Sequence, residues 1–242
     1  MIPILGIPYY NRPDLLERCI KSIDYPVDRL VIIDNSNGGL EGGGSDLALF
    51  VPPRVHRWLI IAHPNSGVAA SWNVIITLFM APYWCLINND IELAPGDLER
   101  MANAANATCK EVAAYYANHG ASFWVITEYG VSKAGLFDFY YPAYCEDVDM
   151  SIRMDLLGLK RVNVDGCKSI HGDDKLTGSC SINSDPVTQQ KNVRTYQLNL
   201  DYHKKKWGNF PGGETYKYPF NNPNLPMDYI HYDPLLRRQQ QW

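Results

Sequence analysis

Apolar runs and helix-period segments alternate through the first 110 residues, and this alternation constrains the fold more than any other feature. Ile2 to Ile7, Arg29 to Ile33, Val55 to Ala62 and Tyr83 to Ile87 are short apolar runs that stop at turn residues, the pattern of buried strands. Between them, Arg12 to Ile23 places Leu15, Leu16, Cys19, Ile20 and Ile23 at the spacing of a one-sided helix. Val68 to Met80 and Pro95 to Cys109 also read as helices, the second with Pro and acidic residues in its first turns. Strand-helix-strand repetition of this kind predicts an α/β fold with a mostly parallel central sheet and right-handed crossovers.

The second half is less regular. Glu111 to Tyr116, Ser122 to Thr127 and Lys160 to Val164 read as strands, Cys145 to Leu157 as a helix, and Pro186 to Trp207 as containing one more. In the Cys145–Leu157 helix, Val148, Ile152 and Leu156 are expected to form the buried stripe. Gly38 to Gly44 reads as a surface loop, Asp165 to Ser181 as polar loop, and the last 35 residues as a surface wrap with little regular structure.

A net charge of −4 lacks the basic footprint of a nucleic-acid binder. The six cysteines form no Cys-x-x-Cys pair, which suggests reduced thiols and a cytoplasmic location rather than a disulfide frame or a zinc site. The N-terminus opens on a strand with no basic leader. The longest apolar stretch, Trp72 to Ile87, is interrupted by Asn73, Thr77 and Pro82 and is too short to span a bilayer. Peripheral membrane contact through a surface patch stays open.

Chemistry concentrates where the strands end. Pro8-Tyr9-Tyr10-Asn11, Asp34-Asn35, Pro64-Asn65-Ser66-Gly67 and Asn88-Asn89-Asp90 each follow a predicted strand, and a parallel sheet puts all of them on its ligand-binding edge. Asp34 there can accept from a ribose hydroxyl or a base N–H. Asp90, with the Asn88 amide beside it, offers the hard oxygens that hold Mg²⁺ or Mn²⁺ on a phosphate. Capping and turn formation are the plain alternative for each loop.

A second acidic cluster, Glu146-Asp147-Val148-Asp149, opens the helix that follows Tyr144. Asp147 in a helix first turn at a cleft edge suits a general base, with Glu146 and Asp149 positioning an acceptor; an N-terminal acidic turn with Asp149 paired to Arg153 is the alternative. His171 is a candidate third metal or phosphate contact. The basic run His203-Lys204-Lys205-Lys206 reads as a solvated helix end.

Taken in order, these segments resemble the family 2 glycosyltransferases of the GT-A fold, including rhamnosyltransferase-like members. The resemblance rests on Ile7-Pro8-Tyr9-Tyr10-Asn11-Arg12-Pro13, Val31-Ile32-Ile33-Asp34-Asn35-Ser36, Asn65 to Asn73, and Leu86-Ile87-Asn88-Asn89-Asp90. It continues through Tyr144 to Arg153, Val164 to His171, and Lys205-Lys206-Trp207-Gly208, and so spans residues 2–208. It implies a Rossmann-like sheet flanked by helices, with a nucleotide-binding half at 1–110, an irregular acceptor-side half at 111–208 and a C-terminal extension at 209–242.

The implied activity is inverting transfer of a hexosyl unit from a nucleotide-diphosphate sugar to a hydroxyl of a glycan, lipid or protein-linked sugar. In that reading Asp147 and Glu146 are catalytic and Asp149 binds acceptor. Pro8, Tyr10, Arg12, Asp34, Asn65, Gly67, Asn73 and Asn89 bind donor. Asp90, Asn88 and His171 hold Mn²⁺ or Mg²⁺. The chain departs from the family motif at Asn88, which stands where a first Asp is usual, and at Tyr144-Cys145, where a Trp is common. Nucleotidyl transfer is the nearest alternative, although the Pro8–Asn11 loop lacks the glycines a triphosphate wants; a non-catalytic nucleotide-sugar-binding module is the other.

Overall fold

A computed structural model describes residues 1–40, 47–141, 143–173, 180 and 185–232. Its centre is a seven-stranded sheet of order β3-β2-β1-β4-β7-β6-β8. The strands are β1 (Ile2–Tyr9), β2 (Val27–Asp34), β3 (Val55–Ala62), β4 (Tyr83–Ile87), β6 (Val112–Ala117), β7 (Gly120–Thr127) and β8 (Lys160–Asn163). The first four pair in parallel; β7 runs against both β4 and β6, and β8 returns parallel to β6. The mostly parallel sheet expected from the alternation is therefore present. Because Tyr9 is opposite Asp34 and Asp34 opposite Ala62, three strands end in line and deliver their loops to one edge.

Two apolar layers cover the sheet, and the pleat decides which residue joins which. Along β4, Tyr83, Cys85 and Ile87 enter one layer while Trp84 and Leu86 enter the other. The first layer packs on α1 (Pro13–Lys21) and α3 (Asp97–Thr108); the second on α2 (Gly67–Leu78), α4 (Glu128–Ala134) and α5 (Glu146–Leu156). Gly6 lets α2 lie close, since a Cβ there would meet Ile75 Cδ1 at 2.7 Å. A long helix, α6 (Pro186–Trp207), and the segment after it close the second layer: Ile230 O accepts from Leu136 N, and the Tyr232 ring meets Trp84 edge-on.

Several elements differ from expectation. A two-stranded sheet joins β5 (Ile91–Glu92) to β9 (Ile170–His171), inside what reads as polar loop. Helix α4 has no counterpart among the expected elements; it is short and carries Gly130 in its first turn. The buried side of α5 is Glu146, Asp149, Met150, Arg153 and Met154, not the Val148–Ile152–Leu156 stripe; Leu156 is 42 % exposed. The helix turns this way because Asp149 and Arg153 satisfy each other inside. Parts of the Gly38–Gly44 loop, of the Asp165–Ser181 loop and of the C-terminal tail lie outside the described residues.

The basic run at the end of α6 is half as expected: Lys204 and Lys205 are exposed, but its other two residues are not. His203 and Lys206 are fully buried. Lys206 Nζ sits 2.7 Å from Asp138 Oδ2 and 2.5 Å from Asp149 Oδ1. The Tyr202 and Tyr229 hydroxyls donate to Asp138 Oδ2 at 2.9 and 2.7 Å. Trp207 Nε1 donates to Asp149 Oδ1 at 2.9 Å. Tyr141 and Glu214 bracket His203, at 3.3 Å from Nδ1 and 3.1 Å from Nε2 respectively. Buried charges persist when paired and hydrogen-bonded in this way.

Candidate active site

The strand-end loops, the start of α5 and one side of α6 enclose a cleft of about 590 Å³, within the range of small-molecule sites. On its sheet side stand Pro8, Tyr10, Asn65, Gly67, Asn88, Asn89 and Asp90. Glu146 and Asp147 line the same cleft from the start of α5, and His171 joins the lining from β9. Two chain segments far apart in sequence thus bring their carboxylates to a single cavity. A second trough along β8 is lined by Arg161 and Asp155, which pair with each other at 2.6 Å.

The Asp90 corner is fixed by backbone. Asn88 N donates to Ser122 O, Ile91 N to Asn88 O, and Gly172 N to Asp90 O. The last of these, with the Ile91–His171 register, draws β9 against the corner. Asp97 pins the approach to β9: Oδ2 accepts from Lys168 N at 2.8 Å and from Ser169 Oγ at 2.6 Å. His171 Nε2 therefore lies 3.2 Å from Asp90 Oδ1, yet it is buried and out of line for a hydrogen bond. The other carboxylate oxygen of Asp90 accepts from Cys180 N at 3.0 Å.

A carboxylate oxygen beside an imidazole nitrogen without a hydrogen bond suits a divalent cation that binds O and N donors. Among the described residues no cluster of three His, Cys, Asp or Glu side chains forms, so an ion here would need oxygens from its ligand.

The Glu146–Asp147 corner is electrostatically different. Burial, and then the charge of Asp147, hold the Glu146 carboxyl well above the usual range; its Oε2 is buried and makes no hydrogen bond. Burial also raises Asp147, against the opposing pull of the helix N–H groups of Val148 and Asp147 itself. A raised carboxyl at a cleft wall is where proton-transfer groups concentrate.

Four expected site residues are elsewhere. Asp149 has no exposure: burial alone would raise it, but Lys206 and Arg153 outweigh that and keep it ionised as a core ion pair rather than an acceptor contact. Asp34 is buried and turned into its own loop, accepting from Ser36 N at 2.8 Å and Leu40 N at 3.1 Å. Asn73 clasps the Phe137 backbone, donating to its O at 2.8 Å and accepting from its N at 2.9 Å. Arg12 pairs with Asp14 at 2.7 Å and Asp173 at 3.0 Å. None of the four lines the cleft.

Sequence reasoning missed Asn35, which takes the wall position expected of Asp34, and the α6 side formed by Thr188, Lys191, Asn192, Thr195 and Tyr196. Polar residues recurring at three- and four-residue spacing on a helix were the available clue to the latter.

The family model for glycosyl transferase family 2 matches residues 5–144. No curated protein matches the chain in sequence. Among solved structures, the mannosyltransferase PcManGT from Pyrobaculum calidifontis, in complex with GDP-Man and Mn²⁺, is similar with a TM-score of 0.60 and 14% identity. That likeness covers 84% of this chain and 64% of the mannosyltransferase, so the chain spans under two thirds of that relative. The S. aureus TarS 1-349 structure in complex with UDP-GlcNAc gives a TM-score of 0.58 at 9% identity, over 84% of this chain and 73% of TarS 1-349. At such identities the likeness speaks for the fold, which is that of GT-A glycosyltransferases. With the family model covering more than half of its residues, the chain belongs to glycosyl transferase family 2.

Proposed function

We propose that this chain is an inverting glycosyltransferase that moves a hexosyl unit from a nucleotide-diphosphate sugar to an acceptor hydroxyl, with Asp147 as general base. The observation that carries the reading is that Asp90 and Asp147, from segments far apart in sequence, line one cleft of donor size. The donor contacts are Pro8, Tyr10, Asn35, Asn65, Gly67 and Asn89, with the diphosphate toward Asp90. Residues 1–208 carry the catalytic groups, with Pro211 adding to the cleft lining and Tyr229 to Tyr232 to the packing behind it, and the acceptor, a glycan or lipid-linked sugar, enters along α6. The solved relatives named above hold GDP-Man with Mn²⁺ and UDP-GlcNAc, which supports a nucleotide-sugar donor.

Asp147 takes the proton from the acceptor hydroxyl as that oxygen bonds to the anomeric carbon. The bond from this carbon to the diphosphate oxygen breaks, its electrons leaving with the diphosphate, and the anomeric configuration inverts. Asp90 and His171, with Asn88, would hold Mn²⁺ or Mg²⁺. When bound, the cation neutralises charge on the leaving diphosphate. Glu146, whose carboxyl burial pushes upward, stands beside Asp147 in the cleft lining and helps to position the acceptor. The six free cysteines fit a reducing cytoplasmic setting, and no helix among the described residues is long and apolar enough to cross a membrane.

Nucleoside diphosphate release from a donor panel, with and without Mn²⁺ and candidate saccharide acceptors, tests the reading. Product anomers read by NMR should be inverted. Retained configuration contradicts direct displacement, and donor binding without transfer to any acceptor favours a non-catalytic binding module.

A further inference from the structure

The two residues before α5 occupy an unusual conformation: Tyr144 has φ 69° and Cys145 φ 68°. Left-handed backbone is costly for side chains that are neither Gly nor Asn, and consecutive instances persist only where the surroundings enforce them. This corner sets the direction in which α5 starts, and so the aim of the Asp147 carboxylate two residues on.

What enforces it comes from α6. The side-chain amide of Asn199 donates to two backbone carbonyls of the corner, Ala143 O and Tyr144 O, the latter at 3.1 Å. Asn192 Nδ2 donates to the Tyr144 hydroxyl at 2.9 Å, and the Tyr196 ring packs edge-on against the Tyr144 ring at 5.3 Å. Positions 192, 196 and 199 recur at helical spacing and face the corner together. Asn199 is only 2 % exposed, so its donors have no competing water. Two turns further on, Lys206 and Trp207 grip Asp149, fixing α6 to α5 at a second point. All of these α6 residues lie beyond the segment that the family model matches, residues 5–144.

We infer that Asn199 is a positioning residue for the reaction: by holding the carbonyls of Ala143 and Tyr144 it keeps the left-handed corner that aims Asp147 at the acceptor. The inference rests on the reading of Asp147 as general base. It assigns to α6 a part in catalysis separate from lining the cleft.

The test compares steady-state kinetics of wild type, Asn199→Ala, Asn199→Ala/Cys145→Gly and Asp147→Asn, with a thermal shift by the nucleoside diphosphate as the check on folding and donor binding. A misplacement of about 1 Å costs on the order of 10²-fold in rate. Asn199→Ala should therefore lose roughly 10- to 100-fold in kcat, while donor KM and the nucleotide shift stay near wild type. Glycine tolerates the left-handed region, so the Cys145→Gly change in the Asn199→Ala background should recover part of the lost kcat. If Asn199→Ala is too unstable to assay, Asn199→Ser, which keeps one short donor, should show the same kcat-only loss in milder form.

Wild-type kcat in Asn199→Ala, donor KM rising in step with the fall in kcat, or no recovery on adding Cys145→Gly each overturn the inference. The two readings separate cleanly. An inactive Asp147→Asn beside a fully active Asn199→Ala sinks the positioning role alone, whereas an active Asp147→Asn removes the base assignment and this inference with it.

Discussion

The Asn88–Asp90 and Tyr144–Asp147 corners present the same functional group, a carboxylate at a cleft wall, by different physical means. The first is backbone work. It ends a central strand, and the main-chain hydrogen bonds of Asn88 and Asp90 run to β5, β7 and Gly172. The second rests on two left-handed residues and on side chains from a helix some fifty residues downstream, anchored by buried charges. Sheet pairing needs only an apolar run and a turn. The α6 arrangement needs each donor to find its acceptor, and one lost partner leaves an unpaired group in the core. The Asp90 corner is therefore expected to tolerate substitution around it, and the Asp147 corner to be brittle.

The largest effect should come from removing the cation between Asp138 and Asp149. Lys206→Met leaves two buried carboxylates facing each other and should lower unfolding free energy by about 3–5 kcal/mol in urea titration. Adding Asp138→Asn should return part of it. A loss under about 1 kcal/mol would mean that the network behaves like a surface pair and that the contrast between the corners is misdrawn.

Asp34→Ala sharpens the comparison on the sheet side. Because the carboxylate serves Ser36 N and Leu40 N, the change should cost about 1–3 kcal/mol of stability. Calorimetry should find nucleotide affinity little altered. A large loss of affinity at unchanged stability would restore Asp34 as a donor contact.

The smallest effect is a displacement along the pH axis. Burial raises Asp147, and a base must be ionised to accept a proton, so activity should rise with pH through a value above the ordinary aspartate range. Stability moves the other way. Glu146 and Asp147 cost nothing where both folded and unfolded chains are protonated. Their cost appears as pH rises past the unfolded carboxyl value and is complete above the raised folded one. Glu146→Gln should flatten that part of the stability profile. An acid limb at the ordinary aspartate value would place Asp147 in water.

The same contrast explains what could be read from the chain alone. β3 and β4 fall on Val55–Ala62 and Tyr83–Ile87 as expected, because apolar runs bounded by turn residues are local information. The Asp90 corner was legible for the same reason. Residue type and helix position put Glu146 and Asp147 at the cleft wall; for Asp149 they leave two readings, an acceptor contact or a pair with Arg153 at i+4, and the pair is what forms, because partners that no local pattern reveals complete it. Trp207, one of them, is 58 residues away, and Lys206 meets Asp138 across 68. On the same grounds the basic run on α6 reads as solvated throughout, which holds for Lys204 and Lys205 but not for His203 and Lys206. Asn35 took the place of Asp34 because one residue of rotation at a strand end decides which side chain faces the cavity.

The central claim is that one corner holds the donor and the other takes the proton. The measurement that tests it most directly is a paired assay of Asp90→Asn and Asp147→Asn: stabilisation by nucleoside diphosphate with Mn²⁺, and transfer. Asp147→Asn should keep the wild-type thermal shift and lose on the order of 10²–10⁴-fold in turnover. Asp90→Asn should lose the Mn²⁺-dependent part of the shift as well as turnover. Wild-type turnover in Asp147→Asn, or an unchanged Mn²⁺-dependent shift in Asp90→Asn, would contradict the account.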